Sequence, residues 1–464
     1  MFIDGRIGYA GLMDIRQYVT KLQLNGELLE IEHEIDARLE ISATTDFVCK
    51  SQGPGLLFKR VKGLNFELAT NLFGSDQRIA QVLGFMNLRA FGSHFSSVLH
   101  TSHGDSSAER IKNILKNVLS KSQDSQRKNN SVDFERLGEM RFWPKEERGF
   151  LTLAVVISRE PDGLVHNYGL YRVGIVDNQT LTINLLPGSG GSRHLELWRR
   201  QDKEMPVAIV LGADPALILA AAAPLPHDCT EEAFSTYFNQ TEFRYSRCQA
   251  IPLDCPTSGQ IVIEGWMSAA ETLNEGPFGC YTGDYGGSND CPLVKIVAVT
   301  RVDDPLIPLT VAGPLPMEDC WIAKANLEII RARLKIDLPE VCSIAMPLET
   351  AFHGIYFLRS FENSPDIETL SKKIKFLDYL SNVKLLILLT DQDDDVTDEN
   401  WRELLGKIST KQIWQDPSYN IEKLNKHQPA NLQHDRQMQL HLLRRLQLDE
   451  HHISEQKAKR CRKK

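Results

Sequence analysis

Apolar and polar positions along the chain change rhythm several times. In MDIRQYVTKLQLNGELLEI, from residue 13, apolar residues recur at helical spacing until Asn25-Gly26. LLEIEHEI then alternates as a strand does, so residues 13–41 read as a helix followed by a strand. Residues 78–120 are largely helical in pattern. KSQDSQRKNNSVDFER, at 121–136, is polar and rich in Ser and Asn, the composition of a surface linker. From residue 150 the runs become short and β-like: LTLAVVIS, YRVGIVD and LTINLLP, the last two joined through Asp177-Asn178-Gln179 as a hairpin turn. GSGGS at 188–192 reads as a flexible loop, and VAIVLGADPALILAAAAP as strand, turn and helix. IVIEG (261–265), LVKIVAVTR (293–301) and LIPLTV (306–311) are further strands.

After Pro314 helical and β patterns alternate. MEDCWIAKANLEIIRARLK is a helix, VCSIAMP a strand, ETLSKKIKFLDYL a helix, KLLILLTDQDDD a strand and DENWRELLGKI a helix, an order that predicts a parallel-sheet unit. The 39 residues from Lys426 carry ten Lys/Arg against four Asp/Glu, with Leu and Met at helical spacing in QMQLHLLRRLQL. They read as a basic amphipathic helix ending in KAKRCRKK. Its apolar stripe could pack on a neighbouring subunit or on its own chain.

Composition narrows the function. The 464 residues are 42% apolar and 25% charged, enough for two or three packed units. A net charge of −8 argues against a basic nucleic-acid surface, and the basic tail reads as a solvated helix. No apolar run is long enough to span a membrane, and the first residues lack a signal-peptide pattern. Nine cysteines without a C-x-x-C pair fit a reducing cytoplasm better than a disulfide framework.

Four stretches can carry chemistry. In HNYGLYR (166–172), Asn167 offers an amide oxygen suited to Mg²⁺ or Mn²⁺, and Arg172 a planar fork for a carboxylate or phosphate. Read alone, the same residues also fit a turn Asn and a strand-edge Arg. PGSGGSRH (187–194) can present backbone N–H groups to a phosphate or merely turn the chain. In CTEEAF (229–234), Thr230 with Glu231 and Glu232 has the form of a helix N-terminus, and Glu231 could instead bind a divalent cation. EGPFGC (275–280) is a rigid turn that can hold Glu275 and Cys280 towards one place, or an ordinary loop with a solvated acid.

Taken in order, NGELLEI, GPGLLF, NLFGS, FWPKEE, NYGLYR, LGADP, EGPFG and the late strand ending DDD resemble the UbiD family of decarboxylases, from about residue 10 to about residue 410. The resemblance implies a mixed α/β (α+β) fold. It has an N-terminal α/β portion (1–120), a central split β-barrel related to flavin reductases that binds the cofactor (137–312), a C-terminal α/β portion (313–425) and the terminal helix or tail (426–464). It implies prenylated FMN, supplied by a flavin prenyltransferase, with a divalent metal, commonly Mn²⁺, and often K⁺. The implied reaction is reversible loss of CO₂ from an aromatic or α,β-unsaturated acid, of which a 3-polyprenyl-4-hydroxybenzoate of ubiquinone biosynthesis is the best-known case, in a homo-oligomer. Arg172 and Glu275 match the catalytic pair, and Asn167 and Glu231 the metal ligands. Leu170, Tyr171, Asn184, Leu185, Leu186, Ser189 and Gly190 match positions that line the cofactor.

Three departures qualify the match. Cys280 stands where the family carries its proton-donating Asp or Glu; it either donates a proton as a thiol or has lost the role, and Asp284, four residues on, is a possible substitute. Gly188 stands where the family usually has a metal-side His, and His194 reads as a surface or neighbouring residue, not a replacement ligand. The expected late Lys has only Lys423 as a poor match. These departures keep open an alternative, a catalytically degenerate subunit that assembles with an active paralogue.

Overall fold

The computed structural model describes residues 13–116, 118, 121–123, 132, 134–240, 242–286, 290–348, 355–361, 366–380, 385–389, 397, 413–415, 434, 436–446 and 448. The first helix, α1 (Ile15–Leu24), starts at Asp14, whose side chain and that of Gln17 cap each other's backbone N–H. It stops at Asn25, and β1 (Leu28–Ile31) follows, so the strand after Asn25-Gly26 is shorter than its sequence pattern. α2 (Glu40–Lys50), β2 (Gly55–Phe58) and β3 (Glu67–Thr70) come next. Ser75, Asn87 and Ser106 cap α3 (Asp76–Leu83), α4 (Leu88–Thr101) and α5 (Ser107–Leu115), the helices expected over 78–120.

The stretch read as a surface linker contains two elements. Lys121–Gln123 is a strand, β4, and Phe134–Gly138 a helix, α6, whose Phe134 and Leu137 are buried. Polar composition hid both, because β4 is held by backbone pairing and α6 by two apolar anchors.

The central elements are β5 (Phe150–Leu151), β6 (Val155–Arg159), β7 (His166–Leu170), β8 (Arg172–Ile175), β9 (Thr180–Asn184), α7 (Gly190–Arg199), β10 (Met205–Leu211), α8 (Pro215–Ala221) and α9 (Glu231–Asn239). After them come β11 (Phe243–Arg247), β12 (Asp254–Pro256), β13 (Ile261–Asn274), β14 (Phe278–Gly279), β15 (Tyr285–Gly286), β16 (Asp290–Arg301) and β17 (Leu306–Leu309). Eight strands form one antiparallel sheet in the order β5-β8-β9-β16-β13-β10-β6-β7. β7 and β8 lie towards opposite ends of that order yet are separated in the chain by Tyr171 alone, so the sheet must curl. Alternate residues serve two cores: Val155, Ile157, Ala208 and Val210 face α1, α3, α4, α8 and α9, while Val156, Val207 and Ile209 face the opposite core. β4 and β12 flank β11 in a small separate sheet.

Two sequence readings change here. GSGGS does not form a flexible loop: Ser189 caps the Ser192 N–H and α7 begins at Gly190. The strand at 306–309, grouped by sequence with the central barrel, pairs in parallel with β3 and completes the sheet β1-β2-β3-β17.

Beyond it lie α10 (Glu318–Asp337), β18 (Val341–Ala345), β19 (Ile355–Ser360), α11 (Ile367–Lys375), β20 (Leu385–Leu389), β21 (Ile413–Gln415) and α12 (Arg436–Arg445). α10 packs against α3, α4 and α5. The sheet β18-β19-β20-β21 is mixed, not parallel: of its neighbouring pairs, β19 with β20 alone is parallel. β19, missed in the sequence, is the reason, since it inserts between the two strands that were read. The readings on 393–395, 398–408, Lys423 and 457–464 lie outside the described residues. Among the described residues no helix is long and apolar enough to cross a membrane.

α12 packs on its own chain. Leu442, Leu443, Leu446 and Leu448 are buried in the core that holds Ile41 and Val48 of α2. Gln439 Nε2 donates to Ala43 O at 3.1 Å and Arg445 pairs with Glu40 at 2.7 Å. Leu442→Ala is therefore expected to cost about 2–4 kcal/mol in urea unfolding; a loss below about 0.5 kcal/mol, the size of an exposed substitution, would contradict this packing.

Candidate active site

The hairpin β8–β9 sets Arg172 directly opposite Asn184, so both side chains leave the same face. The turn after β13 delivers Glu275 to that face, fully buried. Arg172 grips it side-on: Nε donates to Oε2 at 3.2 Å, and Nη2 to Oε1. Asn184 Nδ2 donates to the same Oε1 at 2.7 Å and lies 3.4 Å from Cys291 Sγ. The guanidinium carbon stands 4.2 Å from the centre of the Phe278 ring, and Phe278 meets Phe150 edge-on at 4.9 Å. Among the described residues Nη1 of Arg172 makes no hydrogen bond, and the side chain keeps 17% exposure. The pair thus has one buried side and one donor edge towards open space.

Cys280 is half-buried beside this pair, with Sγ 3.6 Å from Phe278 O. Burial pushes its thiol up; Arg172 pulls against that, while Glu275 and Asp284 add to it. Cys291, which sequence reasoning missed, is buried behind Asn184, and burial followed by the charge of Glu275 pushes its thiol up to about 12. Its only sequence signal was a cysteine within a strand.

The segment FWPKEE clasps the turn from the other side. One carboxylate, Glu146, accepts the N–H groups of Phe142, Trp143 and Gly279 at 2.7–3.1 Å. Trp143 donates to Ala312 O at 2.7 Å, and Lys145 N–H to the Tyr285 hydroxyl at 3.0 Å. Sequence reasoning gave these residues no role, because their partners lie more than a hundred residues away.

Glu231 reaches β7 at the residue after Asn167. Glu231 Oε2 accepts the Tyr168 N–H at 2.9 Å, which sets the carboxylate at the backbone next to Asn167. The buried Glu232 accepts from the Tyr168 hydroxyl at 2.6 Å, tying α9 to the strand. Asn167 is buried, and its amide nearly touches Gly190: a Cβ there would sit 1.9 Å from Oδ1. Tyr171 accepts the Gly191 N–H at 2.9 Å and lies 3.4 Å from Asn167 Nδ2. Burial pushes the Glu231 carboxyl up to about 8; the N–H groups of Tyr168 and of Glu231 itself act against this, and Glu232 adds to it. A desolvated carboxyl beside an amide oxygen suits a hard divalent cation, which would hold it in the charged form. Among the described residues no group of three His, Cys, Asp or Glu side chains forms a metal cluster, so such a cation would take its other ligands elsewhere.

The remaining cofactor-matching residues border this face. Leu170, Tyr171 and Leu185 are half-buried, and Leu186 is 63% exposed. Ser189 and Gly190 start α7, but Ser189 Oγ and Tyr171 Oη already accept the N–H groups of Ser192 and Gly191. That leaves little of the first turn to cradle a phosphate and more work for a cation. A Cβ at Gly188 would meet nothing within 4 Å, so the missing histidine leaves open space.

His194 is not a surface residue. It is buried against Ser158 Oγ, 3.0 Å from Nδ1, and Ser158 is the strand partner of Asn167. Burial, then Arg193 and His166, bring its pKa down to about 4.

Residues 19–93 match the N-terminal domain of 3-octaprenyl-4-hydroxybenzoate carboxy-lyase, and residues 116–315 its Rift-related domain. The chain belongs to this UbiD family of carboxy-lyases. An uncharacterized protein of Aquifex aeolicus is 31% identical over 360 residues, covering 74% of each chain. One of Archaeoglobus fulgidus is 28% identical over 409 residues, 86% of this chain and 84% of the relative. Among solved structures, the closed form of vanillic acid decarboxylase from Sedimentibacter hydroxybenzoicus superposes with TM-score 0.73 at 18% identity, covering 85% of this chain and 83% of the other. An evolved dimeric form of HmfF from Pelotomaculum thermopropionicum, in complex with prFMN, gives 0.67 at 19%, covering 82% and 86%. At these identities the likeness establishes the fold.

The His194 environment predicts an acid response. Unfolded, the imidazole titrates near about 6.5. The folded chain therefore binds fewer protons than the unfolded chain between that pH and about 4, and stability falls as pH drops through this window. Urea unfolding at neutral pH and near about pH 4.5 should show an acid loss smaller by about 2 kcal/mol in His194→Asn than in wild type. Equal losses would contradict the buried neutral imidazole.

Proposed function

We propose that this chain is a non-oxidative, reversible decarboxylase of an aromatic or α,β-unsaturated acid, working with prenylated FMN and a divalent cation, Mn²⁺ foremost. The observation that carries the reading is the buried side-on pair of Arg172 with Glu275, whose guanidinium keeps one donor edge open. When bound, the prenylated flavin supplies the electron sink that loss of CO₂ from an sp² carbon requires.

Arg172 holds the substrate carboxylate or the cofactor through Nη1, the edge not used by Glu275. Glu275, with Asn184 behind it, fixes the plane of that fork. Phe278 and Phe150 keep water from the guanidinium face, which strengthens its hold on an anion. Asn167 and Glu231 would hold Mn²⁺ and through it the flavin phosphate, with water and phosphate oxygens completing the shell. Leu170, Tyr171, Leu185, Leu186, Ser189 and Gly190 would line the flavin. Cys280 belongs to the catalytic group through its place beside Arg172 and Glu275.

The reading includes the finer architecture. The curled sheet is a flavin-reductase-like split barrel, set between N-terminal and C-terminal α/β portions with boundaries near 120, 312 and 425. It also includes supply by a flavin prenyltransferase, a K⁺ site, cytoplasmic location and a homo-oligomer. The solved neighbours include decarboxylases of vanillic acid and of 3,4-dihydroxybenzoic acid, and these acids stand beside 3-polyprenyl-4-hydroxybenzoate as first substrates to try. The intact Arg172–Glu275 pair weighs against the degenerate-subunit alternative.

Co-production with a flavin prenyltransferase should yield protein carrying prenylated FMN and Mn²⁺, detected by mass spectrometry and metal analysis, and CO₂ release from at least one acid in such a panel. Arg172→Ala should reduce turnover at least about 100-fold. Cofactor-free protein under those conditions, inert to the whole panel, would contradict the proposal.

A further inference from the structure

The proposed reaction needs a proton to replace the departing CO₂, and position 280 offers a thiol. The hairpin β14–β15 shows what else is there. Phe278 pairs with Gly286 and Gly279 with Tyr285, so the next pair is Cys280 with Asp284. The Cys280 N–H donates to Asp284 O at 2.9 Å and the Gly283 N–H to Cys280 O at 3.0 Å, so Cys280 faces Gly283 and Asp284 together at a bulged turn. Facing residues of an antiparallel ladder project to one side, with Cβ atoms about 5 Å apart. Cys280 uses that side: a Cβ on Gly286, its diagonal neighbour, would sit 2.5 Å from Sγ. Asp284 is therefore set beside the thiol, displaced by one cross-strand step from where an acid at 280 would begin.

A second observation concerns Asp284 itself. Its Oδ1 is enclosed and makes no hydrogen bond among the described residues. A buried carboxyl oxygen without a partner costs stability and calls for a functional reason. The charges of Arg172, Glu275 and Asp284 all bear on Cys280, so all three lie within electrostatic reach of the thiol.

We propose that Asp284 is the proton donor of this site, delivering from across the hairpin the proton that relatives deliver from position 280. The inference rests on the decarboxylase reading for its chemistry. In the step, the bond between the substrate carbon and its carboxylate breaks, CO₂ leaves, and the electron pair stays with the carbon. The O–H bond of the Asp284 carboxylic acid breaks, its proton forms the new C–H bond, and the carboxylate regains a proton from water. Cys280 shapes the space between donor and substrate and is small enough to leave the path open.

Two measurements test this. In cofactor-free protein, iodoacetamide alkylation of Cys280, followed by peptide mass spectrometry from neutral to alkaline pH, reports the neighbouring charge. Asp284→Asn should move the midpoint down by about half a pH unit or more, because a like charge beside the thiolate is removed. Asp284→Glu, which keeps the acid, should leave it close to wild type. In holoenzyme, Asp284→Asn should lower kcat at least about 100-fold, and Asp284→Glu should recover part of the rate. An unmoved alkylation midpoint overturns the placement. Turnover that survives Asp284→Asn but is lost in Cys280→Ser overturns the role. A wild type inert to every acid counts against the decarboxylase reading, and the alkylation midpoint then decides the placement of Asp284 by itself.

Discussion

A guanidinium and a carboxylate removed from water together hold each other charged only if their geometry is kept, because either one alone would be a buried, uncompensated ion. Arg172 and Glu275 are in that position. The carboxylate has no exposure, and the guanidinium has an aromatic ring on one side and the acid on another. The surrounding architecture can be understood as the means of keeping them in register. Arg172 is fixed by a hairpin whose partner strand supplies Asn184, and Glu275 by a turn that Glu146 and Trp143 hold from below. The curl of the sheet brings the two ends of its strand order together through Tyr171. The pair and the Asn167–Glu231 oxygen set therefore lie on strands consecutive in the chain, β8 and β7.

The same constraint explains the composition around the site. Gly190 is bare where the Asn167 amide crosses the start of α7, and Gly286 is bare where the Cys280 sulfur lies. A side chain at either position would displace the Asn167 amide or the Cys280 sulfur. The two thiols near Glu275 are held protonated by burial, so they add volume and weak polarity without adding charge.

Local signals made part of this legible in the sequence. The hairpin through Asp177-Asn178-Gln179, the helical pattern over 78–120 and the rigid turn of EGPFG follow from residue chemistry within a few positions. The meeting of Arg172 with Glu275 was readable only through family resemblance, since the residues stand 103 positions apart. What escaped was non-local. Nothing in LIPLTV says that it pairs with β3, more than two hundred residues earlier. Nothing in IYFLRS reveals that β19 will intervene in the last sheet and make it mixed. Cys291, Glu146 and Trp143 acquire meaning only when the turn is brought onto them. The Gly-rich stretch misled because glycines suggest a loop, whereas Ser189 supplies the cap that starts a helix.

The direct test of the account is a double-mutant cycle on the central pair, with Arg172→Met, Glu275→Gln and the double variant compared by urea unfolding. The neutral replacements keep approximate volume, so the cycle isolates the interaction between the two charges. The account predicts that the single losses exceed additivity, with a coupling of at least about 2 kcal/mol, because each single variant strands a buried charge that the double variant removes. Additive losses within about 0.5 kcal/mol would mean that the two groups do not depend on each other, and the central claim would fail.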